Sequence, residues 1–224
     1  MLIELKNVLG VRDIKQVQDL LAQANFVDGK LSAGMAAQAL KNNQEISSQH
    51  TQLLDQLNQT VMGNLLRHKH YQRAALPLHI ASPFYARYEV GMEYGQHLDD
   101  PIMGEQHRYR SDMAITVFLN APDEYQGGEL EMHSQYGIQV IKLAAGDAIL
   151  YPANMRHAVK PVTQGRRLVA VTWVQSLVRD NEQRQLLYEL GCAREKLLRK
   201  QPDEIHTQQV DQAYLNLVRR WSDC

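Results

Sequence analysis

The chain has 224 residues, 24 Lys and Arg against 25 Asp and Glu, a formal net charge of -1, and two cysteines. Domains run to roughly 100–200 residues, so one principal core with an appendage suits this length. The interspersed, nearly balanced charge provides no sustained positive field for a phosphate backbone, which argues against a nucleic-acid partner.

Cys192 and Cys224 both fall late in the chain, where a disulfide framework would do little for a core, and this fits a reducing compartment. The opening stretch "MLIELKNVLGVRDIKQ" lacks a basic segment followed by an apolar run, and nowhere do about 18 apolar residues follow one another. The expectation is a cytoplasmic protein with no membrane partner.

"LIELKNVL" alternates, and Ile14, Val17, Leu20, Leu21 and Ala24 then recur at helical spacing, predicting a strand followed by a helix. "VDG" and "SAG" read as turns. Ser47 or Ser48 is expected to cap a helix whose apolar stripe is Leu53, Leu54, Leu57, Val61, Leu65 and Leu66. His68 and His70 near its end lie two apart and cannot face one ligand together on a helix.

From Leu76 to Gln175 the pattern changes to short alternating or apolar runs such as "PFYARYEV", "SDMAITVFLN", "GGELEMH", "GIQVIKL", "GDAILYP" and "RRLVAVTWVQS". Gly, Pro and Asn turns recur about every 10 residues, the pattern of an antiparallel sandwich or barrel of jelly-roll type. Gly127-Gly128 is such a turn, since no helix start follows it. Beyond Ser176 the helical period returns, with Leu186, Leu190, Ala193 and Leu197 on one stripe. After Pro202 come Val210, Ala213, Tyr214, Leu217 and Trp221 on another. The boundaries expected are a jelly-roll domain with N-terminal helices over 1–176 and a helical extension over 177–224.

Chemistry enters at "YGQHLDD". In extended chain alternate side chains share a face, so His97 and Asp99 project together while Leu98 points away and Asp100 lies on the wrong face. Nine histidines among 25 acids make one such tripeptide unsurprising by chance, so it needs company. "YPANMRHAVKP" provides His157. Two imidazoles and a carboxylate on three corners of an octahedron leave three positions open, which is the non-heme Fe(II) arrangement. A structural zinc site would more often be closed by four ligands with thiolates among them. Arg167, across a turn at Gly165, could hold the distal carboxylate of a dicarboxylic keto acid through two parallel hydrogen bonds. Its neighbour Arg166 would face the other side of the strand. His79, His107 and His133 read as surface or supporting residues, and Met92, Met103 and Met113 as core or pocket fillers.

Taken together, Tyr88-x-x-Gly91-x-x-Tyr94-x-x-His97-x-Asp99, "GGEL", "AGDAILYP", His157-x-Val159-x-Pro161, Gly165-x-Arg167 and Trp173 resemble the prolyl 4-hydroxylase-like Fe(II)/2-oxoglutarate dioxygenases. Within that superfamily the chain is most similar to the bacterial PKHD-type hydroxylases, some of them called iron-uptake factors. The resemblance is very specific from about 80 to 180 and extends through "WVQSLVRD" to nearly the whole chain.

It implies a mostly β core folded as a double-stranded β-helix (jelly roll) with supporting N-terminal helices and a C-terminal helical hairpin. It also implies Fe(II) held by His97, Asp99 and His157, with Arg167 on the C5 carboxylate of 2-oxoglutarate. Tyr88 would add a hydrogen bond to that carboxylate, and Tyr94, Phe118 and Trp173 would wall the pocket. Prolyl 4-hydroxylases proper often use Lys where this chain has Arg167, so their substrate class does not carry over. Oxygen is the co-reactant, ascorbate a candidate reductant, and a siderophore-like small molecule or a peptide the candidate substrate. The C-terminal helices are expected to pack on the protein's own sheet, with a two-fold homodimer surface as the alternative. The alternative reading is a non-catalytic iron sensor or interaction protein that kept the pocket.

Overall fold

The computed structural model describes residues 1–104 and 106–223, and for Ala36 the backbone alone, so the expectation for Cys224 lies outside the described residues. Two antiparallel sheets face one another. The larger has eight strands, in the order Ile3–Leu5, Ala148–Pro152, Met113–Phe118, Arg167–Ser176, Phe84–Tyr88, Gln44–Ile46 and Phe26–Asp28, with Pro77–Ile80 also paired to Arg167–Ser176. The smaller runs Gly137–Ile141, Leu130–Ser134, Arg156–Val159, Glu93–His97 and Lys41–Asn42.

The central strand "MAITVF" shows why its sequence reads as an unbroken apolar run. Met113, Ile115 and Val117 face one cluster, which the helices cover, while Ala114 and Phe118 face a second cluster between the sheets. With both faces buried, no polar alternation is required. The covering layer consists of α1 (Val11–Ala22), the short α2 (Met35–Gln38) preceded by a 3-10 turn over Gly29–Ser32, α3 (Thr51–Arg67) and α4 (Lys69–Ala75). Val17 and Leu21 of α1 and Leu57, Val61 and Leu65 of α3 enter the first cluster with Leu5, Ile115 and Leu150. Each such side chain, fully buried, contributes about 1.5–3 kcal/mol.

Several local expectations shift. Neither Ser47 nor Ser48 caps α3: the N-cap is His50, whose own amide donates to the Ser47 carbonyl. Leu66 falls off the stripe and is exposed, because the buried face is the i, i+4, i+8 row from Leu57. The stretch 26–46, in which only the turns "VDG" and "SAG" were expected, contributes three short strands that extend both sheets. The tail forms α5 (Asn181–Lys200) and α6 (Ile205–Trp221), which pack on each other, with α5 also against α4. The face α5 buries is Arg184, Leu187 and Gly191, and Leu186 is left exposed. Among the described residues no helix is long and apolar enough to cross a membrane.

Candidate active site

His97 and His157 come from neighbouring strands of the smaller sheet, directly paired across the ladder. Tyr94 and His97 are three residues apart and would normally face opposite ways. The register shifts between the His157 and Val159 pairings, and the extra residue on the Glu93–His97 side turns both inward. Asp99 follows two residues later, with Leu98 half exposed on the other side, as alternation requires.

One ligand atom from each of His97, Asp99 and His157 lies within 4.8 Å of the others, and His157 Nε2 is 3.8 Å from Asp99 Oδ1. The centre of a triangle of that size is about 2–3 Å from its corners, close to the roughly 2.0–2.2 Å of a metal bond to nitrogen or oxygen.

The surroundings suit a cation. His97 Nδ1 donates to the Gly95 carbonyl at 2.8 Å and His157 Nδ1 to the Met155 carbonyl at 2.9 Å. A proton fixed on each Nδ1 leaves the Nε2 lone pairs free to bind metal. Burial, reinforced by the charge His157 would carry, pushes the His97 pKa down to about 4, so the ring is neutral near pH 7. Burial raises the Asp99 carboxyl above its ordinary value, against the opposing pull of His157 and the Trp173 indole. Asp99 Oδ2 is buried without a hydrogen-bond partner. A carboxylate so starved of solvent is what a bound cation would stabilise.

Arg167 lies in the larger sheet, paired with Tyr88 across the ladder and lining the same cavity, of about 720 Å3, as the three candidate ligands. Its guanidinium stacks 4.9 Å from the Tyr88 ring centroid and 5.7 Å from that of Phe118. Only 1% of Arg167 is exposed, yet among the described residues it has no ion pair: its Nε is buried without a partner, and its polar neighbours are the hydroxyls of Tyr88 and Tyr125. Burying an unpaired charge costs several kcal/mol, so the geometry calls for an anion. Arg166 faces outward and pairs with Glu89 at 2.9 Å.

Gly128, with φ +65°, lets the turn pass beside this arginine: a Cβ there would sit 3.1 Å from Arg167 Cδ. Tyr94 and Trp173 line the cavity as expected, with Tyr94 stacked on His97 at 3.7 Å between ring centroids. Phe118 does not line it and lies beneath Arg167 instead. His133 sits beside Glu131 at 3.6 Å, His79 packs on Tyr109, and His107 is exposed, so none joins the cluster. Two groups in the wall were not singled out among the candidate residues. Tyr151, edge-on to His157, was legible from the alternation of "AILYP"; the buried pair Lys41 and Glu45 had no local signal.

A facing pair of sheets holding a His, Asp, His cluster and a buried arginine is compatible with an Fe(II)- and 2-oxoglutarate-dependent dioxygenase, the class to which sequence similarity assigns the chain. The 2OG-Fe(II) oxygenase superfamily matches residues 83–175, and the PKHD-type hydroxylase C-terminal domain matches 181–223.

The chain belongs to the PKHD-type hydroxylases. It is 45% identical to the PKHD-type hydroxylase of Thioalkalivibrio sulfidiphilus over the full length of both chains. Among solved structures, a prolyl hydroxylase from Trichoplax adhaerens, in complex with a hypoxia inducible factor oxygen degradation domain peptide fragment, shares the fold. It has a TM-score of 0.55 and 16% identity, over 83% of this chain and 86% of that one. The non-heme alpha ketoglutarate dependent epimerase SnoN from nogalamycin biosynthesis also shares it, with a TM-score of 0.56 and 16% identity, over 79% and 78%.

Proposed function

We propose that His97, Asp99 and His157 hold the Fe(II), that Arg167 holds the C5 carboxylate of 2-oxoglutarate, and that Tyr88 adds its hydroxyl to that carboxylate. The observation that carries the reading is Arg167: buried, unpaired, and in the cavity that the three candidate ligands share. When bound, Fe(II) and 2-oxoglutarate together supply the oxidising power, one oxygen atom going to succinate as carbon dioxide leaves and the other to a substrate C–H bond.

The protein supplies position and exclusion. The carbonyls of Gly95 and Met155 keep the two imidazoles aimed, Tyr94 braces the face of His97, and Tyr151 and Trp173 add aromatic faces to the cavity wall. The guanidinium fork orients the keto acid so that its other end reaches the metal.

The two sheets are read as a double-stranded β-helix, with residues 1–176 as the catalytic domain and 177–224 as a helical extension that is a candidate homodimer surface. The substrate is a siderophore-like small molecule, in line with a role in iron uptake, or a peptide. The work is assigned to the cytoplasm, with ascorbate as reductant. The test is direct. Purified protein given Fe(II), oxygen and 2-oxoglutarate should release succinate, and its Arg167→Met variant should need far more 2-oxoglutarate to do so. A wild-type protein that forms no succinate overturns the proposal.

A further inference from the structure

One charged cluster in the cavity wall has no part in the chemistry above. Lys41 belongs to the edge strand of the smaller sheet, opposite Tyr94, and Glu45 to the larger sheet, opposite Ala86. Their side chains are only 9% and 8% exposed. The Lys41 ammonium donates to Glu45 Oε1 at 2.5 Å and to Ser32 Oγ at 2.8 Å, and the Ser32 hydroxyl donates to Glu45 Oε2 at 2.6 Å. All three residues line the cavity that holds His97, Asp99, His157 and Arg167. The cluster is one aromatic ring away from the candidate metal ligands: Lys41 Nζ is 5.6 Å from the Tyr94 centroid, and Tyr94 stacks on His97.

A clasp between two sheets does not need buried charges, since apolar residues of similar volume usually hold as well or better. What the pair offers that an apolar clasp cannot is spare hydrogen-bonding capacity. An ammonium has three donors, of which two are used here. A carboxylate has about four lone-pair sites, of which two are used. A free donor and free acceptors therefore stand side by side on a unit with no net charge. A free carboxylate brought to it would meet Glu45, and a free ammonium would meet Lys41. A neutral group that accepts at one atom and donates at the next avoids both penalties, and an amide is that group.

We infer that Lys41 and Glu45, held by Ser32, form a substrate subsite that takes an amide of the molecule being oxidised, with its carbonyl accepting from Lys41 and its N–H donating to Glu45. The inference rests on the assignment of the metal and keto acid to this cavity, and it narrows the substrate to amide-bearing compounds, whether peptides or small molecules. Leu31, Ala33 and Ala37 line the same cavity and offer the molecule apolar surface.

The test uses the full chain loaded with Zn(II) and 2-oxoglutarate, which leaves it inert. One pool of N-acetylated tripeptide amides and one of small secondary amides and hydroxamates without a peptide backbone are screened by saturation-transfer NMR, and the binders are titrated. Matched free acids and amines serve as comparators. Amides from one or both pools should bind in preference to the comparators, and the pool that yields them identifies the source. The Lys41→Met/Glu45→Met double variant, which leaves no charge unpaired, should weaken them at least tenfold while 2-oxoglutarate affinity stays within twofold.

Undiminished amide binding in the double variant overturns the inference, as do equal losses of amide and 2-oxoglutarate, preference for acids or amines, or no amide binding at all. If the double variant does not fold, intermolecular Overhauser contacts between a bound amide and the Lys41 side chain of the wild-type protein decide, and their absence overturns it. Failure of the wild-type protein to bind 2-oxoglutarate would instead sink the assignment of Arg167.

Discussion

Replacing Arg167 with Met separates a ligand-binding cation from a structural one, because the two roles predict opposite signs for stability. Arg167 is 1% exposed and has no ion pair among the described residues, its guanidinium supported by the rings of Tyr88 and Phe118. Those ring contacts are worth about 1–2 kcal/mol, against a desolvation penalty of several kcal/mol for the buried charge. An unbranched apolar side chain of similar reach removes both. The ligand-free variant should therefore melt at or above the wild-type temperature.

With 2-oxoglutarate at about 100 times its Kd, the wild-type protein gains about 2.7 kcal/mol, roughly 5–10 °C for a chain of this size. Truncating one partner of a buried charge pair costs about 2–5 kcal/mol, so the variant should bind 2-oxoglutarate about 30-fold to several thousandfold more weakly and lose most or all of that shift. Thermal melts and calorimetric titration on Mn(II)-loaded protein read both quantities. A ligand-free variant melting several degrees below wild type, with metal binding lost as well, would refute the reasoning and make Arg167 a support of the sheet.

Four further outcomes are expected. His97→Ala should abolish turnover and weaken Mn(II) binding seen by electron paramagnetic resonance, while His133→Ala, which alters a residue beside Glu131 outside the cluster, should do neither. Gly128→Ala sets a Cβ 3.1 Å from Arg167 Cδ on a backbone with φ +65°, so it should raise the KM for 2-oxoglutarate with metal affinity unchanged. Leu57→Ala empties a fully buried position under the larger sheet and should cost about 2–5 kcal/mol in urea unfolding, leaving the KM for 2-oxoglutarate as it was. Light scattering at micromolar concentration tests the proposed homodimer: a monomeric mass removes it, and in a dimer Trp221→Ala should favour monomer without affecting metal binding.

Period and alternation alone were enough to place the strand and helix at the N-terminus, the six main runs of the sheets, the paired tail helices, and the facing of His97 and Asp99 away from Leu98. These are local properties: which face a side chain takes within its own strand follows from its neighbours in the chain. That Arg167 and Arg166 face opposite ways was legible for the same reason, while the choice of Arg167 rested on spacing and the family resemblance.

The tertiary structure alone decided what meets across the fold. Whether His157 reaches His97 depends on strand pairing, and the bulge that brings Tyr94 and His97 onto one face is likewise a product of that pairing; neither has a period in the sequence. Phe118 was expected in the cavity wall, yet it lies beneath the guanidinium, outside the lining. The helical stripe of α5 shifted to Arg184, Leu187 and Gly191 because α4 and α6, rather than the sheet, set which side is covered. Lys41 and Glu45 look in sequence like ordinary surface charges in a polar stretch. They became a buried pair because their strands join opposite sheets, and burial, which makes such a pair consequential, is a property of the packed chain.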